Sequence, residues 1–521
     1  MELREEQKKS FFEEKLSQET TAINKIKSDS KYFFKYANRH RKTCSSPNIL
    51  IDSNDNLCTD PESVVNALQD QFCSVFTVPK PNHNVFETQS PPSISMPLAD
   101  FTVTEKEIES AIGEIKSQSA CPQNCIPALI LKKCKHSLST PLKMFFQKSF
   151  DMGLVPKMYK TQQVIPIFKT SMKNDPKNWR PICITSHIIK VFERVIRSKL
   201  VIYFERNNIL NPNQHGFRKS RSCITQLISY TTHILENLVD GNEVDAIYLD
   251  YSKAFDRIDH EILLQKLKFL QLPDKYLKWI RSFLINRTQF VYHNGASSYH
   301  SFVKSGVPQG SVLGPLFFIL FINDLPDNIL SSKIFTFADD TKIVRPISCS
   351  SDCTLLQADL DNIIAWSSRN NMMLNKEKFE LISYTSKNKT NKIDVFNELP
   401  FNNTFQAYST GDDDIFPSRV IRDLGIHLNS SLNWDDHINY LSKVGKQLSG
   451  WILSVFYSRD SKVLLTLFNS LVRSKMEYGC QIWDPFKINQ INALEQVQRY
   501  ILYKQIPRRK KSQLLGEIEE A

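Results

Sequence analysis

Residues 333–344 read KIFTFADDTKIV. An apolar run rich in β-branched and aromatic residues is a strand pattern, yet Asp339 and Asp340 stand side by side in its middle. Strand side chains alternate between two faces, so a straight strand would turn one of these carboxylates into a core. A buried carboxylate without a partner is costly or gives up its charge. The chain escapes that cost by turning at this point. An exposed turn and an Asp that caps the next element are the plain solutions. A tight β-hairpin whose tip aims both acids at a divalent metal is the functional one. The pair by itself leaves all three open.

Three other stretches bear on the choice. In AIYLDYSKAFDRIDH, residues 246–260, a strand-like run ends at Asp250 and a helical pattern follows. An acid at the end of a core strand is well placed to hold a metal, and equally to cap a helix. Phe255 falls near the same rim, whereas Asp256 and Asp259 are expected to cap the turn or face solvent. In SGVPQGSVLGPLFFILFINDLP, residues 305–326, Gly306, Pro308, Gly310 and Gly314 form a bend of little bulk, with Gln309 at its apex. Such a bend lets a base or a backbone come close. In QVIPIFKTSMKNDPKNWRPICITS, residues 163–186, two strand-like arms carry Lys169 and Arg180. A point charge and a planar fork can clamp a triphosphate; a solvated basic hairpin is the plain alternative.

The order of these pieces says more than any one of them. A basic hairpin, an acid-ended strand, a glycine-rich bend and an Asp-Asp hairpin together describe a nucleotidyl-transfer site. That chemistry uses two Mg2+ ions (Mn2+ can substitute), with Asp250 and Asp339 as ligands and Asp340 beside them. Three acids at one site repel one another unless metal compensates them.

The rest of the chain fits this reading. Net charge is +11 with pI near 8.9, which suits a polyanionic partner. The chain has 521 residues, 41% of them hydrophobic, enough for several domains with real cores. It opens MELREEQKKSFFEEK, charged from the second residue, so an intracellular protein in cytoplasm or nucleus, not a secreted one, is expected, with its 11 cysteines reduced. The longest apolar run, residues 312–322, is too short for a membrane span.

Residues 48–60 predict a short hairpin around Asn54 and Asp55; Asp60-Pro61 predicts a helix start, and Val64, Leu68, Phe72 and Phe76 its apolar stripe. Residues 79–98 read as a proline- and serine-rich linker, residues from Thr104 to about 153 as helical, and 385–418 as a polar insertion. From Trp434 the pattern is helical again, with a basic IPRRKK near the end.

Taken with NQHGFRKSRSC, WSSRNNMMLNKEKFELISY, DLGIHLNSSLNW and LVRSKMEYGCQIWDP, the motifs resemble the reverse transcriptases of non-LTR retrotransposons, the LINE-type, jockey-like elements. The resemblance covers most of the chain. It implies an α+β fold, a right-hand polymerase whose fingers and antiparallel palm sheet span residues 150–430. A helical thumb and tail then occupy 431–521, an N-terminal extension and linker 1–98, and a helical pre-fingers region 99–149. It implies RNA-directed DNA polymerase activity on an RNA template and a DNA primer with dNTPs, and no membrane.

Carried over position by position, Asp250, Asp339 and Asp340 are the catalytic, metal-binding acids. Lys169 and Arg180 match the triphosphate contacts, Phe255 the gate that rejects a 2′-hydroxyl, and Gln309 a contact to the incoming nucleotide and template. Lys378 resembles the lysine proposed to protonate pyrophosphate, and LGIHL the strand pair that grips the primer. The N-terminal extension, which interleaves Lys31, Tyr32, Phe33, Phe34, Lys35 and Tyr36 with Arg39, Arg41 and Lys42, is expected to bind template RNA.

Departures are ACPQNCIP at 120–127, where such elements carry a Gly-Pro-Asp turn, and Tyr159-Lys160 in place of Trp-Lys. No endonuclease segment is read before the polymerase, so a nuclease supplied in trans joins the expected partners. The rival reading is a non-catalytic or co-opted nucleic-acid-binding remnant of such an element.

Overall fold

The structure is a computed structural model that describes residues 2–39, 49–78, 91–122, 125–169, 171–385, 408–411 and 413–503. Its centre is a four-stranded antiparallel sheet. In spatial order the strands are Glu380–Tyr384, Glu243–Leu249, Asp340–Ile347 and Lys333–Phe337. These strands read as continuous apolar runs because both faces of the sheet are covered. Ile247, Leu249, Ile343 and Leu381 face a core built with helices His260–Phe269, Gly314–Phe321 and Ser350–Arg369. Val244, Ala246, Val344 and Ile382 face helix Cys223–Val239, the hairpin Val420–Asp423/Ile426–Asn429 and the start of helix Asp435–Val455.

A second sheet lies to one side. Strands Thr161–Phe168 and Trp179–Ile184 pair as an antiparallel hairpin, and Thr161–Phe168 runs parallel to Arg287–His293. The predicted hairpin forms, over residues 50–58, with Asp55 left-handed at φ 62°. Asp60 caps helix Pro61–Ser74 by accepting from the Glu62 and Ser63 amides. Val64, Leu68 and Phe72 of that helix pack with Val164, Trp179 and Val291 of the second sheet, while Phe76 lies past the helix end.

Two segments differ from their expected form. Residues 79–90 of the linker lie outside the described residues, but 91–98 is docked rather than free. There the Ser95 hydroxyl and Met96 amide donate to Asn207 Oδ1, and Ile94 and Leu98 pack on the main core. The stretch from Thr104 to 153 is three helices, Glu105–Gly113, Ala128–Lys133 and Lys135–Asp151, with Pro122 and Pro127 in the non-helical segment between the first two and a break at Cys134 between the last two. Most of the 385–418 insertion, residues 386–407 and 412, and the IPRRKK segment lie outside the described residues. No described helix is long and apolar enough to cross a membrane.

The N-terminal helices Glu2–Asn24 and Ser30–Arg39 are used structurally. Ala22, Phe33, Tyr36 and Ala37 are buried against Ile452, Phe456, Leu464 and Val497 of the C-terminal helices, and Phe33 stacks on Phe456 at 5.7 Å. Buried Glu19 accepts from the Tyr457 and Ser458 amides. Half of the aromatic set expected to stack on RNA is therefore core. Lys31, Tyr32, Phe34, Lys35 and Arg39 remain exposed, while Arg41 and Lys42 lie outside the described residues.

Deleting residues 1–39 should expose the Phe456 and Leu464 surface and lower the thermal unfolding midpoint. The slope of log RNA affinity against log salt should stay close to that of the full chain. A deletion that melts like the parent and shows a shallower slope would return these helices to an RNA-binding role.

Candidate active site

Asp250 follows directly on strand Glu243–Leu249, and Asp340 opens the neighbouring strand. Thr341 pairs with Leu249 in the last rung of that ladder, so Asp340 and Asp250 flank its end. Asp339 lies in the two-residue turn between Phe337 and Asp340, which are themselves paired. The question raised by the adjacent acids has a direct answer. The strand reverses there, and neither carboxylate enters a core.

The three acids crowd one another. Desolvation and the Asp250 charge push the Asp339 pKa up. Desolvation, followed by repulsion from Asp339, Asp423 and Asp250, pushes Asp340 up to about 6. Asp250 is compensated differently: Lys378 Nζ reaches its Oδ2 at 2.9 Å. Pairing of 251–252 with the 373–374 backbone, and the Asn375 amide donating to the Asp250 carbonyl at 2.8 Å, place Lys378 there.

The basic hairpin lies close by. Lys169 and Arg180 are exposed, and Arg180 sits opposite Ile167, which shares a strand face with Lys169. Among the described residues neither side chain makes a hydrogen bond or ion pair, and both act electrostatically on Asp339. Lys253 joins them. Partial burial, and repulsion from Lys169, Arg180 and Lys378, lower its pKa against the pull of Asp256. Lys169 and Arg180 thus lie within electrostatic reach of both Lys253 and Asp339.

Sequence reasoning did not find Lys253. Its signal was faint: one lysine between Asp250 and Phe255, in a left-handed conformation at φ 51° that no spacing reveals.

The structure also revises the reading of Asp256. It does not face solvent: it is buried, and Gln309 Nε2 donates to both its carboxylate oxygens at 2.8 and 2.7 Å. Burial raises its pKa to about 6 although Gln309, Lys253 and Arg180 favour the charged form. Asp259 does cap a helix, accepting from the Glu261 and Ile262 amides.

The glycine-rich bend is explained by the same contact. A Cβ on Gly306 would lie 2.6 Å from the Asp256 carbonyl oxygen, and one on Gly310 2.5 Å from that of Cys183. The backbone that approaches this bend belongs to the protein itself. Phe255 is half-buried beside it, stacked on Phe318 at 4.5 Å and edge-on to Phe217 at 6.0 Å.

On the other side of the acids a cavity of about 390 Å3 opens, lined by Asp250, Asp340, Lys378, Arg422, Asp423 and Leu424. Its floor is a buried ion pair. Lys342, two residues beyond Asp340, is paired with Asp423 of the 420–429 hairpin and lies 3.8 Å from the centre of the Tyr230 ring. The Tyr248 hydroxyl lies within hydrogen-bond distance of Tyr230 Oη at 2.8 Å and of Asp423 Oδ2 at 3.1 Å.

Oxygen donors of this kind suit Mg2+ or Mn2+. Among the described residues no group of three or more His, Cys, Asp or Glu side chains is arranged to hold a metal ion by itself.

The chain is similar to several known proteins. The chain is 27% identical over 420 residues to the probable RNA-directed DNA polymerase from transposon X-element of Drosophila melanogaster, covering 78% of this chain and 44% of that protein. It is 25% identical over 424 residues to the RNA-directed DNA polymerase from mobile element jockey of the same species, covering 79% and 44%. With the jockey polymerase of Drosophila funebris it shares 25% over 460 residues, covering 85% and 48%. The chain spans less than half the length of these curated relatives. The family profile described as reverse transcriptase (RNA-dependent DNA polymerase) matches residues 169–442, from the basic hairpin through the acids to the helix beyond the 420–429 hairpin, and so the chain belongs to the reverse transcriptase family.

Proposed function

We propose that this chain is the RNA-directed DNA polymerase of a jockey-like non-LTR retrotransposon, extending a DNA primer on an RNA template with dNTPs. The observation that carries this is the gathering of Asp250 and Asp340 at the end of one strand ladder and on one cavity wall, with Asp339 in the turn and Lys169 and Arg180 within electrostatic reach of it. In this reading the second sheet is the fingers, the central sheet the palm, and the C-terminal helices the thumb.

Divalent metal bound by Asp250, Asp339 and Asp340 supplies the charge that activates the primer 3′-hydroxyl and neutralises the triphosphate. Lys169, Arg180 and Lys253 bind the triphosphate oxygens. Gln309, oriented by Asp256, contacts the incoming nucleotide and template. Lys378 exchanges its Asp250 partner for the departing pyrophosphate and gives it a proton. The 420–429 hairpin holds the primer strand beside the 390 Å3 cavity. Primer extension by purified protein on an RNA template with dNTPs and Mg2+ is the direct test; no extension with either Mg2+ or Mn2+ would remove the reading.

The Phe255 ring, anchored by Phe318 at 4.5 Å, has a fixed edge to offer a sugar. Phe255→Val should raise ribonucleotide incorporation relative to deoxynucleotide by about tenfold or more, the scale on which one removed steric clash shifts selectivity. The ratio of kcat/KM for dNTP and rNTP measures it. An unchanged ratio would make Phe255 a packing residue only.

A further inference from the structure

The NQHGF stretch, residues 213–217, has no part in the chemistry above, yet it touches the tip of the acid hairpin. Ala338, beside Asp339, has φ +54°, and Asp339 is not left-handed. That is the II′ turn pattern, in which glycine is the favoured first central residue. An alanine held there is strained and persists only where its surroundings impose it.

The surroundings are specific. Buried Gln214 accepts from the Ala338 amide with Oε1 at 2.8 Å and donates from Nε2 to the Ala338 carbonyl at 3.3 Å. The same Oε1 accepts from the Gly216 amide at 2.6 Å. The flanking backbone runs beside the strand that enters the turn: the His215 amide donates to the Thr336 carbonyl at 3.0 Å, and the Thr336 amide to the Asn213 carbonyl at 3.3 Å. Gly216 allows the approach, since a Cβ there would lie 2.3 Å from the Ala338 nitrogen.

We propose that Gln214 is a positioning residue whose amide clamps the strained Ala338 peptide units and so sets where Asp339 and Asp340 stand. The proposal rests on the polymerase reading and names a part of that site which does no chemistry itself. One side chain meeting both the N–H and the C=O of one residue fixes its orientation as well as its place. Without the clamp Ala338 relaxes toward negative φ and the two carboxylates swing with the turn.

The test uses the full chain. Gln214→Met keeps the length and removes all three hydrogen bonds; kcat for single-nucleotide addition should fall about tenfold to a hundredfold, as for a catalytic group displaced by an ångström. KM for dNTP should change by less than about twofold. Mn2+ affinity of the free protein, read by electron paramagnetic resonance, should weaken in parallel. Adding Ala338→Gly, which accepts positive φ without help, should restore most of both losses. A residue that merely stabilised the fold would not be rescued in this way.

Wild-type kcat and Mn2+ affinity in folded Gln214→Met, or losses that Ala338→Gly leaves unrepaired, would overturn the proposal. Should Gln214→Met fail to fold, Gln214→Asn, one methylene too short to reach, carries the same comparison with and without Ala338→Gly. If the wild-type chain itself fails to polymerise, the polymerase reading falls, and the Mn2+ measurements still judge the clamp.

Discussion

Asp339→Asn and Asp250→Asn should each lower primer extension by about a thousandfold or more, close to 4 kcal/mol of transition-state stabilisation, since the site works almost wholly through charge placed on metal. The fold should not suffer. Burial and the Asp250 charge raise the Asp339 pKa, so the native state disfavours its ionised form. A carboxylate with a raised folded pKa subtracts stability above its unfolded pKa. An uncharged asparagine relieves that penalty, and without metal the Asp339→Asn protein should melt no lower than the parent at neutral pH. Mg2+ or Mn2+ should raise the midpoint of the parent by mass action and raise that of the variant less. Primer extension, and melting with and without metal, check the three statements together. A variant that polymerises normally, or one that unfolds for want of the carboxylate, would remove Asp339 from the site.

The second large effect is on stability. Lys342 and Asp423 are both buried, and they join the strand that begins with Asp340 to the hairpin proposed to hold the primer. Asp423→Ala leaves a buried ammonium without a paired carboxylate, held by the Tyr230 and Tyr248 rings, Gln226 Oε1 at 3.3 Å and the nearby Asp340 charge. Breaking one side of a buried pair costs about 3–5 kcal/mol, a large share of the about 5–15 kcal/mol that holds a typical protein folded. Lys342→Met with Asp423→Leu should recover most of that loss, because an apolar pair of similar volume has no charge to desolvate. Urea unfolding of Lys342→Met, Asp423→Leu and the double variant gives the coupling energy. A single variant within about 1 kcal/mol of the parent would show that water reaches the pair.

Much of the site is legible in the sequence. The turn at Asp339 and Asp340, the strand ending at Asp250 and the hairpin carrying Lys169 and Arg180 all follow from periodicity and turn chemistry. So does the Asp60 cap. These features are local: a few consecutive residues decide whether the chain extends, turns or starts a helix.

What stays hidden depends on groups brought together from far apart. Nothing in AFDRID says that Asp256 lies under Gln309, 53 residues on, or in FADDTKIV that Lys342 finds Asp423, 81 residues on. Each looks like a solvated charge until folding removes the water. The NQHGF stretch shows no function until Gln214 meets Ala338, and the N-terminal aromatics look like a stacking surface until Phe33 meets Phe456. By itself the sequence determined the strands and the turns, because backbone sterics and side-chain alternation act over a few residues. Only the tertiary structure decided which charges are buried, which are paired and which stay exposed, because desolvation and Coulomb energies depend on distances that spacing along the chain does not set.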